Sequence, residues 1–545
     1  MILKGGVVLC LAIGVVTGRE TPFLGYNSYN DVGCSPNETH MRDTMNALVE
    51  KGFLDAGYQY FQVDCGWQGY ERDENGAITY DKSVFPNGIE PLSKLAREKG
   101  FKWGMYTDQG EHSCDTRTDK LRQGSLGHEE ADAAAFKSWN VDYVKVDNCY
   151  INGSSQDVNA PKDAREDFVE RFGAMSKALD ENDIPDMLVC QWGVPYKSPS
   201  GRLEGPYEWT KDISSAYRVT DDIADTWEHV MRIANQMIHV SCRGLSKSIA
   251  DMDMLEVGNT GLTLAEQASH FALWALSKSS LFISTDIPSI DDQALAIALN
   301  QDLLAVNQDK LGKPVTLVQR WTDDWDLYSG PLENGDIVIL AMDHSNTTRS
   351  LTVDLSKHLG IKSATIKNLW TGEKQKDLSS YTENSLQPHG SIVLRLSDIQ
   401  QTDKHKTKLS WYNAEKATLS GNATTHACAK CSNKSKVSLA GKDATITFSD
   451  IPASSSHSTI SFDYINTQIG YMVGDNNNTL NAAISVNSGP AQLVSFPLSG
   501  YDSNYDILQN YLVDLTGFNA GKDNSISISA VSSLPLEFDR IGVAL

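Results

Sequence analysis

The chain has 545 residues, 47 Lys+Arg against 70 Asp+Glu, a net charge of −23 and nine cysteines. At roughly 100–200 residues per domain, this length excludes a single domain and predicts two to four. A hydrophobic content of 40% excludes wholesale disorder. The acidic excess argues against nucleic acid and anionic membranes as main partners and is compatible with a neutral small molecule or polysaccharide.

At the N-terminus Lys4 precedes an uncharged run from Gly5 to Val16, then the small pair Thr17-Gly18. This is the pattern of a secretory signal peptide, read as residues 1–18. The run is too short for a membrane span, which needs ~20 apolar residues. The expectation is a secreted protein with no membrane insertion, in a disulfide-permissive compartment. Cys10 leaves with the signal, so 9 − 1 = 8 cysteines remain. Cys428-x-x-Cys431 reads as a local disulfide, because no second Cys/His pair lies at metal-ligand spacing. Sequons at Asn37, Asn152, Asn346, Asn422, Asn433 and Asn477 predict glycosylation.

Residues 19–312 alternate short apolar runs with helical patterns. The strand candidates are Phe23–Tyr26, Tyr60–Asp64, Lys102–Tyr106, Tyr143–Asp147, Met187–Cys190, Ala216–Val219, Met252–Leu255 and Leu281–Ile283. Helical spacing falls at Thr39–Ala56, Ile89–Lys99, Glu129–Trp139, Ala164–Leu179 and Leu264–Ser277. Eight strands separated by helices fit an α/β (β/α)₈ barrel, with a doubly wound sheet as the alternative. Polar groups gather at the C-terminal ends of the runs: Asn27, Asp64, Asp108, Asp147, Gln191, Asp222 and Asp286. In a barrel these ring one mouth, whereas helix capping explains one or two of them.

After Gly312 the pattern changes to short alternating runs with turn signals such as Asn334-Gly335. Residues 313–398 read as an antiparallel β-sandwich, 399–408 as a polar linker, and 409–545 as a second β-sandwich rich in Ser, Thr, Asn and Gly.

The residues themselves single out Asp147. It closes an apolar strand two positions after Lys145, on the same face, and that pairing would hold the carboxylate ionised as a nucleophile requires. Asp222 is the second candidate, since glycoside hydrolysis needs one ionised and one protonated carboxyl. Asp64, Asp108, Asp221, Asp251, Asp253 and Asp286 also compete, so the pattern alone defines only a barrel enzyme with a polar mouth.

Eight motifs in order narrow this reading. They are Thr21-Pro22-Phe23-Leu24-Gly25-Tyr26-Asn27-Ser28-Tyr29, Asp64-x-x-Trp67 with Arg72-Asp73, Tyr106-x-Asp108-x-Gly110 and Tyr143–Asp147. Cys190-Gln191-Trp192-Gly193, Arg218-x-x-x-Asp222-Ile223, Asp253-Met254-Leu255-x-Val257-Gly258-Asn259 and Asn307-Gln308-Asp309-x-Leu311-Gly312 follow. The chain resembles the family 27 α-galactosidases. The resemblance implies a (β/α)₈ barrel followed by a sandwich, and retaining release of terminal α-galactose from oligosaccharides or galactomannan-like polymers, without a cofactor or catalytic metal. Asp147 matches the nucleophile and Asp222 the acid/base. Tyr26, Asp64, Trp67, Tyr106, Lys145, Arg218 and Asp253 match positions lining the sugar subsite, and Cys65, Gln191 and Trp192 join them. Cys114 and Cys149 match a family disulfide, with Cys34–Cys65 as a second and Cys190–Cys242 as a conjectured third.

One departure stands out: where typical members have two successive acids, this chain has Asp64-Cys65. That opens a β-L-arabinopyranoside or α-N-acetylgalactosaminide as alternative substrate. A lectin-like binder of galactosides without turnover is the alternative from another class. The C-terminal unit, from Tyr412-Asn413-Ala414-Glu415 to Asp539-Arg540-Ile541-Gly542, resembles carbohydrate-binding modules of families 35 and 6. That resemblance implies a structural calcium near Glu415 and Asp539, although Asn413 stands where the family often has an acid. The oligomeric state is left open.

Overall fold

The computed structural model describes residues 21–115, 120–151, 159–243, 248–402, 408–474 and 477–544. Residues 1–18, where a signal peptide is expected, Asn152 and residues 403–407 of the expected linker lie outside them. The described chain forms two compact units. One runs to Val230 and resumes over Leu245–Gly312; the other contains Met231–Gly244 and Lys313–Leu545.

The first unit carries an eight-stranded parallel sheet. Its strands are β1 (Leu24–Asn27), β2 (Tyr60–Val63), β3 (Lys102–Asp108), β4 (Tyr143–Asp147), β5 (Asp186–Val189), β6 (Ala216–Arg218), β7 (Ile249–Asp251) and β8 (Leu281–Ile283). Strands β1 to β7 pair in chain order and β8 pairs with β1. A parallel bridge between Leu255 and Ile283 stands on the remaining side, completing the curled (β/α)₈ architecture.

Two-residue periodicity sorts the side chains. Phe23, Tyr60, Tyr143 and Phe282 meet inside, at the N-terminal ends, with ring centroids 5.0–5.8 Å apart between Phe23–Tyr60, Phe23–Tyr143, Tyr60–Tyr143 and Tyr143–Phe282. This plug closes one end of the sheet. Gly25 is required beside it, since a Cβ there would lie 2.6 Å from the Tyr60 carbonyl. The opposite phase holds Tyr26, Phe61 and Trp103, stacked at 5.0 and 5.7 Å. Continuing the first phase towards the C-terminal ends brings Asp64, Tyr106, Lys145, Asp147 and Arg218 together.

Sequence and structure differ at β7. The strand is Ile249–Asp251 rather than Met252–Leu255, because Asp253 adopts φ +74° and breaks the extended run. Helix Trp227–Ser241 is an addition to the sequence-based set. Asp286 is exposed and accepts a bond from the Ser289 hydroxyl at 2.6 Å, so its carboxylate is engaged within its own turn.

The second unit holds two sandwiches. The first has a six-stranded antiparallel sheet and a two-stranded one, Arg349–Asp354 with Ser380–Leu386. Leu327, Ile339, Val353, Ile366 and Leu394 fill the space between. Its closing strand runs Ser391–Gln401, three residues past the expected boundary at 398. The polar strands Lys374–Leu378, at the edge of the six-stranded sheet, and Ser380–Leu386, in the two-stranded one, gave no sequence signal, because both expose most of their side chains. Residues 409–544 form the second sandwich, of six- and five-stranded sheets, around Ile446, Phe462, Tyr464, Phe496 and Phe538. Tyr464 and Tyr501 are core residues, while Tyr505 is exposed.

Candidate active site

The mouth is built at the C-terminal ends of β1 to β7. Asp147, the last residue of β4, accepts one donor on each carboxylate oxygen. The Tyr106 hydroxyl donates to Oδ2 at 2.9 Å and the Trp192 indole N–H to Oδ1 at 2.8 Å. The Asn148 backbone N–H adds a third bond, to Oδ1 at 3.0 Å. Trp192 holds this position at φ +60°, a conformation that costs a non-glycine residue ~1–3 kcal/mol and persists only where the surroundings impose it.

Lys145 does not bond Asp147 as expected. Its ammonium donates to Asp64 Oδ2 at 2.9 Å, an oxygen that also takes the Asn27 amide at 2.8 Å. Burial works against the lysine charge, but Asp64, Asp147 and Asp253 outweigh it and raise the pKa above its ordinary value. Lys145 is therefore a fixed cation on the floor of the mouth, tying β2 to β4.

Arg218, buried at the end of β6, reaches two acids with one nitrogen. Nη2 lies 3.0 Å from Asp222 Oδ1 and 2.9 Å from Asp253 Oδ2. Asp253 also accepts the Ile223 N–H at 2.7 Å, which fixes the loop carrying Asp222. The Asp222 side chain is 42% exposed, so it meets solvent from within a walled mouth. Desolvation by those walls, with repulsion from Asp253 and Asp147, pushes its pKa up to about 7 against the pull of Arg218 and Lys145. Asp147 and Asp222 thus differ as a hydrolytic pair must: one is held by three donors, the other is a carboxylic acid below neutrality.

Asp108 sits beside the nucleophile candidate, fully buried. Burial first, then Asp147, raises its pKa well above the carboxylate range, and the Cys149 N–H bonds both its oxygens at 3.0 and 3.1 Å. Asp108, Cys114, Asp147 and Cys149 present ligand atoms within 4.8 Å of one another. Both sulfurs are spent in the Cys114–Cys149 disulfide, so the cluster lacks the thiolates a zinc site would use.

Disulfides Cys34–Cys65 and Cys428–Cys431 are also present. Cys190 keeps its thiol, which overturns the conjectured Cys190–Cys242 pairing; the Arg218 Nη1 group donates to that sulfur at 3.4 Å. Cys65 is buried and pinned to the loop after β1, so it brings no polar group in place of a second acid.

Three expected sugar contacts are corrected. Tyr26 lies on the outer phase of β1, fully buried, with its hydroxyl donating to Asp31 at 2.5 Å. Trp67 is fully buried as well; its indole donates to the Tyr106 carbonyl at 3.0 Å and packs edge-on against Phe136 and Trp139. Gln191 is buried, with its amide donating to the Arg218 carbonyl at 2.8 Å, so it couples β5 to β6. Each has the right residue type on the wrong side of a strand or loop.

The reading missed Tyr29. It is 37% exposed, and the Lys145 ammonium lies 5.7 Å from its ring centroid. Burial, then Asp222 and Asp64, raises its pKa. It is the half-exposed aromatic that Tyr26 and Trp67 were expected to be. The only signal was its place two residues beyond β1, in the first motif.

In the C-terminal sandwich, Asp539 accepts the Ser432 hydroxyl at 2.7 Å, and the Asn433 amide donates to Glu415 Oε1 at 2.8 Å. Glu415 Oε2 is buried without a hydrogen-bond partner. Among the sequons, Asn37, Asn346, Asn422 and Asn433 are exposed and Asn477 is half-buried. Asn37 caps its helix through Oδ1, leaving the amide nitrogen available.

The family profile described as Alpha galactosidase A matches residues 27–309, and that described as Alpha galactosidase C-terminal beta sandwich domain matches 322–396. A probable alpha-galactosidase D of Aspergillus niger is 36% identical over 389 residues, covering 69% of this chain. The alpha-galactosidase of Cyamopsis tetragonoloba is 35% identical over 374 residues, covering 68% of this chain and 84% of its own length. The crystal structure of alpha-galactosidase I from Mortierella vinacea superimposes with a TM-score of 0.62 at 28% identity, over 70% of this chain and 98% of its own. The chain belongs to the α-galactosidase family, glycoside hydrolase family 27. It spans 56% of the length of the Aspergillus relative. Among the described residues, no helix is long and apolar enough to cross a membrane.

Proposed function

We propose that the protein is a secreted, glycosylated, retaining α-galactosidase acting on terminal α-galactose of oligosaccharides or galactomannan-like polymers. The observation that carries this is the division of labour between Asp147 and Asp222. Asp147 attacks C1, and the bond to the leaving oxygen breaks as Asp222 delivers its proton. A covalent galactosyl ester on Asp147 results. Asp222, now a carboxylate, takes a proton from water; the oxygen attacks C1 and releases Asp147, with net retention. Lys145 and Arg218 balance the charge of the acids, and Tyr29 supplies an aromatic surface for the sugar.

Asp147→Asn is expected to abolish hydrolysis of an aryl α-galactoside while the circular dichroism spectrum stays native; near-normal turnover contradicts the assignment. Asp222→Asn is expected to slow poor leaving groups far more than activated ones, and an equal loss on both contradicts its role. Cys65, tied up with Cys34, supports the alternative of another sugar. Comparing aryl α-galactoside, α-N-acetylgalactosaminide and β-L-arabinopyranoside as substrates decides the preference, with the galactoside expected to lead.

The C-terminal sandwich fits a carbohydrate-binding module with a structural calcium held by Glu415 and Asp539. The buried, unpartnered Glu415 Oε2 supports this, since carboxylate oxygens suit calcium. Calcium is expected to raise the melting temperature of the wild type and not of Asp539→Ala; equal responses contradict the site.

A further inference from the structure

On the flank of the first unit, the loop after β2 and the helix Glu129–Ser138 enclose a concavity of about 580 Å³. It shares no residue with the mouth. Two half-exposed aromatic residues line it, Tyr80 and Trp139, with ring centroids 6.1 Å apart at 73°. Ala134, on the exposed helix face, keeps one wall low. Asp73, Asn75 and Lys82 form the other rim.

The polar groups here are left open. Among the described residues, the Tyr80 hydroxyl, the Trp139 indole N–H, the Asn75 amide and the Lys82 ammonium make no side-chain hydrogen bond. Asp73 uses Oδ1 for the backbone N–H groups of Asn75 and Ala77 and leaves Oδ2 open. Ligand pockets commonly span ~300–1,000 Å³ and combine aromatic surface with a few placed polar groups. This set mixes donors and acceptors, as hydroxyl groups require because each both donates and accepts. Its one acid and one base cancel, which matches an uncharged occupant, and the chain's charge of −23 opposes a polyanion.

We propose that this concavity is a second carbohydrate site, separate from the catalytic mouth, that holds a neutral segment of the polysaccharide substrate. The proposal rests on the assignment of a polymeric α-galactoside substrate. Tyr80 and Trp139 cover the apolar face of a sugar ring, and Asp73, Asn75 and Lys82 pair with its hydroxyls. The site raises the concentration of polymer near the enzyme without entering the chemistry.

The test uses the full chain with Ala134→Trp, which fills the concavity from an exposed helix position, and with Lys82→Ala as a milder variant. Affinity electrophoresis in galactomannan measures binding, and an aryl α-galactoside measures turnover. For Ala134→Trp a tenfold or greater loss of retardation is expected, for Lys82→Ala a smaller one, with kcat/KM on the aryl substrate within twofold of wild type. Wild type that is not retarded, or Ala134→Trp retarded as strongly as wild type, overturns the proposal. A change in sedimentation with retardation unchanged also overturns it, in favour of contact between copies of the chain. Turnover of the aryl substrate reads the catalytic assignment independently, so failure of either claim is visible by itself.

Discussion

Asp147 is defined by its donors more than by its strand. Losing the Trp192 N–H removes a bond to a charged acceptor, worth ~1.5–3 kcal/mol. Trp192→Phe keeps an aromatic ring without the N–H and is expected to lower kcat about 10- to 100-fold; a loss confined to KM would make Trp192 a substrate contact only. Asp222 sets the opposite limb. Its acid form is required for the first step and titrates at about 7, so kcat/KM is expected to fall as pH rises through that value. In Asp222→Asn this limb should vanish, measured on an activated substrate; a limb that survives assigns it to another group. Sequence patterning offered Asp147, Asp222 and Lys145, because strand ends and two-residue periodicity are local; the family resemblance chose the two acids over their competitors and added Arg218. Patterning misassigned Lys145's partner and put Gln191 in the mouth, and the resemblance put Tyr26 and Trp67 there, because sidedness beyond a strand end depends on loop paths. Those paths are set by contacts such as Cys34–Cys65, which no local pattern encodes.

At the scale of elements, the parallel strands were legible as apolar runs closed by acids, and the helices as apolar stripes. Helix Trp227–Ser241 was missed although Val230, Ile233, Ala234, Met237 and Ile238 are buried at helical spacing. Asn235, Gln236 and His239 are buried on it too, and they interrupt the stripe. In the first sandwich, Arg320 clamps Asp326 with two bonds, of 2.8 and 2.6 Å. Burial opposes the Asp326 charge, but Arg320 and His344 overcome it and hold the carboxyl well below its ordinary range. A depressed folded pKa means that this stabilisation is full above the unfolded value of ~3.9 and is lost as pH falls. Asp326→Asn leaves a buried guanidinium unpaired and is expected to cost ~3–5 kcal/mol, read as a lower urea midpoint at pH 7. A cost below ~1 kcal/mol would mean that the pair adds little.

For the whole molecule, the second unit is one packed body that includes Met231–Gly244. Arg243 pairs with buried Asp506 at 2.6 Å, Asn478 donates to Gln236 Oε1 at 3.0 Å, and the Trp321 indole donates to Asp514 at 3.1 Å. These bonds fix the C-terminal sandwich to this segment and to the first sandwich. The sequence suggested a module on a polar linker; the ties that hold it are polar and far apart in the chain, so no pattern announces them. Asp506→Ala is expected to lower the melting temperature, whereas an unchanged value would indicate a freely tethered module. The acidic surface remains compatible with a neutral glycan and does not select one. The central claim, double displacement through Asp147, is tested most directly by trapping. An activated 2-deoxy-2-fluoro-α-galactoside should inactivate the enzyme and leave one fluorogalactosyl group on the peptide carrying Asp147. A label on another residue, or turnover with inversion and no label, would contradict the account.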